Sequence, residues 1–349
     1  MGWTDRHFRY LLRLIGTEAW LYSEMFPVQT LVRGADPSKR IDFHPAEHPI
    51  ALQLGGDDPV PVSQAAYLGW KAGYDEINLN VGCPSPKVLR GGFGVCLMEN
   101  PGRVGAMVSA IRDAVPIPVT IKCRLGFDHH LEPSFLESFV RAVAEQGCNT
   151  FFVHARMAWL DGVSPKANRS LPPLDYDSVI RLKQKYPGLE IVLNGGIRSS
   201  SQVHDLLGQV DGVMVGRKIL EDPLWLAALE AAAGLRRSPV PSRLKVIQGY
   251  GAYLSRVFQS PTDGHESRQR LFQPLLTVMR GFSGAARLRR LVCEAGRASE
   301  TGGGGWVEHI LGELASIAPE AGGSAMGSLS HTDPSRSRPV PAGCGPTPL

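Results

Sequence analysis

One pattern constrains this chain more than any other: short β-branched or apolar runs alternate with longer amphipathic stretches. The runs lie at 20–25, 50–54, 76–81, 119–123, 150–154, 191–193 and 212–215, and helical spacing of apolar residues fills 60–73, 103–114, 133–146, 177–186 and 200–207. Strand alternating with helix predicts parallel βα units. The closed form of that architecture is the TIM (β/α)8 barrel, an α/β fold. Seven strands are visible and a closed barrel wants eight. Thr4 or Asp5 reads as a helix N-cap with no room for a strand before it, so the first strand is expected to be truncated and the chain to start late. An open doubly wound sheet is the competing fold.

The 349 residues suit one barrel of about 250 residues with a smaller appendage. The barrel is expected over residues 1–235. Beyond Leu226 the strands stop, and helical periodicity (Leu244, Val246 or Ile247, Tyr250, Leu254, Val257) predicts a helical domain over 240–315. The formal charge of +4 hides an asymmetry. Within 243–297, Arg243, Lys245, Arg256, Arg268, Arg270, Arg280, Arg287, Arg289, Arg290 and Arg297 face only Asp263, Glu266 and Glu294, a local excess of seven positive charges. Such a basic face fits an anionic polymer. From about residue 318 to 349, Gly, Ser and Pro dominate, which predicts a disordered tail.

No apolar run approaches the ~20 residues of a membrane span, and no signal peptide opens the sequence, so a soluble intracellular protein is expected, in cytoplasm or organelle. Cys83, Cys96, Cys123, Cys148, Cys293 and Cys344 lie far apart without CxxC spacing, which predicts reduced thiols rather than disulfides or a metal centre. Monomer is the default oligomeric state.

Catalysis in a parallel barrel belongs to the C-terminal ends of the strands, and there the unusual polar residues collect. Gln53 lies near one strand end, Asn78 and Asn80 alternate along the next, and Lys122 and Arg124 end another. His154 and Arg156 follow Phe151-Phe152-Val153, Asn194-Gly195-Gly196 follows Ile191-Val192-Leu193, and Gly216-Arg217 closes the last strand. The final two turns supply glycine amides and a guanidinium suited to a phosphate. Lys122 reads as a Schiff-base lysine, a structural ion pair, or a cation beside an electron-rich ring. With a phosphate site present, a cation near the N1–C2=O edge of a flavin is favoured. Gln53 both donates and accepts, matching the pyrimidine rim of such a ring, and His154 adds a donor or is simply a satisfied polar residue. Cys83 precedes a run through Gly91-Gly92-Phe93-Gly94 that reads as a mobile flap, where a protonated thiol serves as general acid. Cys96, Cys123 and Cys148 read as small buried hydrophobes.

These segments resemble the tRNA-dihydrouridine synthases, and within them the dihydrouridine synthase A branch. The likeness runs from Met1 to about residue 300 through GWTDRHFRY, LYSEM, HPIALQLGG, GYDEINLNVGCPS, IPVTIKCRLG, FFVHAR, SPKANRSLPPLDY, NGGI and DGVMVGR, of which GCPS and SPKANR are the specific ones. The resemblance implies that Cys83 protonates C5 of uracil. It implies that Gln53, Lys122, His154, Asn194, Gly195, Gly196, Gly216 and Arg217 hold FMN. It implies that Asn80, Lys166 and Arg169 meet tRNA, that a C-terminal helical domain grips it, and that Arg287, Arg289 and Arg290 contact its phosphates. NADPH or NADH would be the reductant, and uridines 20 and 20a of the D-loop the target. The family's first strand, with its Ala-Pro-Met stretch, has only Met1-Gly2 to match it, and the Gly/Pro/Ser tail lies outside the pattern. The alternatives are an FMN barrel acting on a free dihydropyrimidine or enoate, separated by salt-sensitive tRNA binding, and a tRNA-binding folding helper without catalysis, separated by a flavin colour that bleaches with NADPH.

Overall fold

The computed structural model describes residues 2–130, 132–259, 268–280, 285–297 and 303–317. The chain divides after Val240 into two compact units. In the first, seven parallel strands neighbour one another in chain order: β1 (Leu21–Pro27), β2 (Ile50–Gly55), β3 (Glu76–Val81), β4 (Val119–Arg124), β5 (Thr150–His154), β6 (Glu190–Asn194) and β7 (Gly212–Met214). Helices α1 (Arg6–Arg13), α2 (Pro59–Ala72), α3 (Pro101–Ala114), α4 (Pro133–Ala144), α5 (Tyr176–Lys185), α6 (Ser200–Leu207) and α7 (Trp225–Ala232) flank them. A doubly wound sheet reverses its strand order at a switch point. The sequential order here has none.

Helix starts follow local chemistry. Asp58 accepts from Val60 N at 3.0 Å with Pro59 in the first turn of α2, and Asn100 accepts from Arg103 N at 3.0 Å ahead of α3. Asp175 does the same for Ser178 N at 2.9 Å, and Ser199 with Gln202 forms a capping box on α6. Of the two candidates ahead of α1, Asp5 is the cap, accepting from His7 N and Phe8 N at 3.1 and 3.0 Å. Gly73 ends α2 at φ 101°, a left-handed turn that favours glycine.

Contacts between strands that are not neighbours show the sheet to be curled. The Tyr22 ring of β1 meets Phe152 of β5 with centroids 5.2 Å apart, and Lys122 Nζ of β4 reaches Asn194 Oδ1 of β6 at 3.1 Å. Among the described residues β7 and β1 do not pair, and side chains tie the ring instead. Glu230 of α7, 1% exposed, accepts from Glu18 N and Ala19 N at 2.9 and 3.0 Å on the approach to β1. It also pairs with Arg236 at 3.2 Å, and Arg236 donates to Ile15 O. Gly16 leaves room for this, since a Cβ there would lie 2.5 Å from the Glu230 carboxylate. The result is a TIM-like α/β barrel of seven strands.

The outer face of the sheet is aliphatic: Leu52 and Ile77 pack on α2 at Gly69, where a Cβ would meet Leu52 at 2.4 Å. The inner face departs from the usual branched aliphatic filling, because Glu76 and Asn78 of β3 and Thr120 of β4 are all buried. The glycine-rich run 91–94 after Cys83 lies between a short helix, Pro86–Arg90, and a 3₁₀ turn, Val95–Glu99. Gly94 (φ 84°) is required by close approach, as a Cβ would lie 2.5 Å from Cys83 O.

The second unit contains α8 (Arg243–Gln259), α9 (Arg268–Val278), α10 (Ala285–Arg297) and α11 (Gly303–Ile317). Val246, Ile247, Tyr250, Leu254 and Val257 of α8 are buried, with Leu271 and Leu275 of α9, Leu288 and Val292 of α10, and Val307 and Ile310 of α11. Tyr250 Oη donates to Leu271 O at 2.7 Å, joining α8 to α9. The tail expected from residue 318 and Cys344 lie outside the described residues. Among those described, no helix is long and apolar enough to cross a membrane.

Candidate active site

Parallel register aligns the polar strand ends. Gln53 stands opposite Asn78, Asn80 opposite Lys122, and His154 opposite Asn194. Asn194 is held from two sides, accepting from Lys122 Nζ at 3.1 Å and donating to Met214 O at 2.8 Å. Gly195 (φ 118°) packs under the His154 ring, where a Cβ would come within 2.6 Å of Cδ2, and Tyr176 Oη donates to Gly195 O at 2.6 Å. Gly196 (φ 68°) has no room either, since its Cβ would lie 2.4 Å from Leu174. At Gly216, by contrast, a Cβ would meet nothing within 4 Å. That glycine lines open space.

Cys83 follows β3, half-buried and free. Its backbone N and that of Gly82 donate to Asn80 Oδ1 at 3.0 and 3.2 Å, and its carbonyl accepts from Val95 N at 3.1 Å. Asn80 Nδ2 donates in turn to Gln53 Oε1 at 2.9 Å. Cys123 and Cys148 are buried as expected of small hydrophobes, and desolvation pushes both thiols up to about 12. Cys96 is only half-buried.

Arg124 joins two loops, a role that sequence reasoning missed. Buried to 3% exposure, it donates to Gly82 O at 2.9 Å beside the cysteine, and to Met157 O and Asn168 O at 2.8 and 3.1 Å. The second pair belongs to the segment that carries the exposed Lys166 and Arg169. Asn168, fully buried, braces that segment by accepting from Trp159 N at 2.7 Å and donating to Trp159 O at 2.6 Å. Arg217 Nη2 donates to Arg169 O at 2.6 Å, tying the last strand end to the same loop. The cation at the end of β4 was visible in sequence. Its carbonyl partners, distant in the chain, have no motif. Arg287, Arg289 and Arg290 belong to α10 of the second unit, all exposed, with Arg287 paired to Glu313 at 2.8 Å and Arg289 Nε on Ala285 O at 3.2 Å.

Cations dominate the electrostatics of the mouth, with Glu221 opposing them at Arg217. Desolvation lowers Lys122 to about 8, with Arg124 adding to the shift, although the side chain keeps some exposure. Arg124 is lowered to about 10, chiefly by burial, and its neighbours Arg156 and Arg169 push the same way. His154 is held neutral, down to about 2, by burial and then by Lys122, Arg124, Arg156 and Arg217. Its ring makes no hydrogen bond to the described residues, nor do Lys122, Arg124, Arg156 and Arg217 form an ion pair with any of their carboxylates. The buried Arg156 Nε also lacks a partner there. Crowded cations without a counterion are costly unless an anion completes the site. Two glycine turns and an open face at Gly216 offer it a seat. This donor set fits the phosphate and electron-rich ring of a flavin nucleotide.

The chain is similar to known proteins over most of its length. The model of the dihydrouridine synthase (Dus) family matches residues 1–307. A protein of Synechocystis sp. named tRNA-dihydrouridine(20/20a) synthase is 48% identical over 248 residues, 71% of this chain and 74% of its own. Proteins of the same name from Shewanella oneidensis and Escherichia coli are each 42% identical, over 84% of this chain and 86% and 84% of theirs.

Proposed function

The chain belongs to the dihydrouridine synthase family, and from that premise we propose how it works: it reduces uridine of tRNA to 5,6-dihydrouridine, at positions 20 and 20a of the D-loop, with Cys83 as the proton donor. It is an oxidoreductase of a flavin-dependent group. The flavin would be FMN, and Gln53, Lys122, His154, Asn194, Gly195, Gly196, Gly216 and Arg217 would hold it. When bound, FMN would supply hydride chemistry for C6 of the uracil ring, with NADPH as the source of electrons.

The chain's own residues do the rest. Hydride addition at C6 leaves negative charge at C5 and O4, and the Cys83 thiol gives its proton to C5. The thiolate left behind lies among cations: Arg124 Nε donates to Gly82 O at 2.9 Å, next to the cysteine, and Lys122 stands opposite Asn80, which holds the Cys83 backbone N–H at 3.0 Å. That proximity of thiol and cations is the observation that carries the reading. Lys122, tethered to Asn194, and the neutral His154 present donors to an electron-rich ring rather than to a carboxylate.

A uracil stacked in folded tRNA is out of reach, so the base is extruded into the mouth. Asn80 meets the base edge, while Lys166 and Arg169 hold the nucleotides beside it. Residues 240–315 form the tRNA-binding domain, with Arg287, Arg289 and Arg290 on phosphates. Residues 1–235 form the flavin barrel.

Cys83→Ala should retain flavin absorbance and tRNA affinity yet lose about a hundredfold or more of turnover, read as dihydrouridine formed in unmodified tRNA. Turnover at the wild-type rate would remove Cys83 from the chemistry. Reduction of free uridine as fast as tRNA would instead favour a small-molecule enzyme.

A further inference from the structure

Beneath the mouth, the barrel interior holds three buried polar side chains that the chemistry above does not use. Asn78 is 0% exposed, Thr120 2% and Glu76 6%, where aliphatic filling would cost less. They extend a hydrogen-bond chain that begins at the cysteine. The amides of Gly82 and Cys83 donate to Asn80 Oδ1, and Asn80 Nδ2 donates to Gln53 Oε1 at 2.9 Å. Gln53 Nε2 donates to Asn78 Oδ1 at 2.9 Å, Asn78 Nδ2 donates to Thr120 Oγ1 at 2.8 Å, and the Thr120 hydroxyl donates to Glu76 Oε1 at 2.6 Å.

A carboxamide turned end for end keeps its shape and exchanges its donor and acceptor, so groups of fixed character must decide its polarity. At one end of this chain, backbone N–H groups can only donate. At the other, Glu76 Oε1 accepts from the Thr120 hydroxyl, and every link between runs the same way. We propose that Glu76, Thr120 and Asn78 are positioning residues, which fix the polarity of the Gln53 amide and so hold Asn80 and the Cys83 backbone in place for proton transfer. This rests on the function proposed above. Amides do not pass protons along such a chain, so its part is orientation rather than conduction.

The surroundings of Glu76 agree with an accepting end. Burial raises its pKa to about 7, while the hydrogen bond from Thr120, and Tyr22 nearby, pull it back, as donors beside a carboxyl group do. Glu190 adds to the rise, and Cys148 also lies within its electrostatic reach.

Thr120→Val removes the hydroxyl at constant shape. It should lower kcat about tenfold with KM for tRNA unchanged, the scale of one broken buried hydrogen bond. In the flavin-bound protein without tRNA, iodoacetamide alkylation of Cys83, mapped by mass spectrometry, should change rate at least about threefold, and Thr120→Ser should restore both readouts to within about twofold. Thr120→Val with wild-type kcat and alkylation rate overturns the proposal. So does Thr120→Ser as impaired as Thr120→Val, because packing would then be the cause. Should Thr120→Val fail to fold by thermal melting, Glu76→Gln carries the test: an amide at the end of the chain can donate as well as accept and no longer fixes its direction, so kcat should fall at constant KM, and a wild-type kcat overturns the idea. A wild-type chain that never reduces tRNA sinks the proposed function itself, whereas the alkylation rates still judge the positioning.

Discussion

Cations do different work in the two units of this molecule. At the barrel mouth Lys122 and Arg124 are desolvated, crowded by one another and held by an amide or by carbonyls at fixed distances, beside a neutral His154. On α10 of the second unit Arg287, Arg289 and Arg290 are exposed, and among the described residues their one carboxylate contact is Arg287 with Glu313. Buried cations recognise by geometry, because they cannot relax and water does not screen them. Exposed ones attract through a screened field and tolerate rearrangement. Substitutions in the two places should therefore fail differently.

The largest effect is expected at Arg124. Arg124→Gln leaves carbonyls of Gly82, Met157 and Asn168 without their donor. It should cost about 3 kcal/mol of stability and about a hundredfold in turnover at saturating tRNA. Arg124→Lys restores the charge but not a fork that spans two loops, so it should remain nearly as impaired. Thermal midpoints and single-turnover rates check this. If lysine recovers turnover to within about threefold, charge rather than geometry governs the mouth and the contrast breaks.

Next comes the buried acid. Glu76 has a folded pKa near 7, above its unfolded value, so the native state binds the extra proton and the stability it confers is lost as pH rises through 4.5 to 7. Glu76→Gln removes that dependence. Relative to the wild type, the variant should gain up to about 3 kcal/mol between pH 5 and pH 8, while turning over more slowly. Denaturant melts at the two pH values measure it. A variant whose stability tracks the wild type across this range would mean that Glu76 titrates as an ordinary exposed acid.

The reach of sequence reasoning follows the same divide between local and distant chemistry. Strand and helix positions were legible because caps and prolines such as Asp58-Pro59 and Asn100-Pro101 act within a few residues. Strand ends were legible because the fold assigns them polar residues, and GCPS and SPKANR pointed to the family that the comparisons show. Other features depend on residues far apart in the chain. Glu230 tying α7 to the approach of β1 spans more than two hundred positions, and Arg124 gathers carbonyls from both sides of itself. Asn78 was noticed only for alternating with Asn80. The direction of its hydrogen bonds needs Thr120 and Glu76 in space. The run after Cys83 shows its glycines in the sequence, but the close approach of Gly94 to Cys83 O needs the folded chain.

The smallest effect, and the sharpest test of the contrast, belongs to the exposed arginines. Replacing Arg287, Arg289 and Arg290 together by alanine should raise KM for tRNA about tenfold near physiological salt and leave kcat within about twofold, since no reacting atom is touched. Each lost phosphate contact should reduce the slope of log affinity against log salt by about 0.7 to 0.9. The three should not contribute equally. Arg287 already spends its charge on Glu313, whereas Arg290 has no hydrogen bond to the described residues, so Arg290→Ala should flatten the slope more than Arg287→Ala. Filter binding across a salt series resolves the difference. A triple variant with an unchanged slope but a reduced kcat would place these arginines with the geometric cations of the mouth, and the division between gripping and positioning charges would have to be drawn elsewhere.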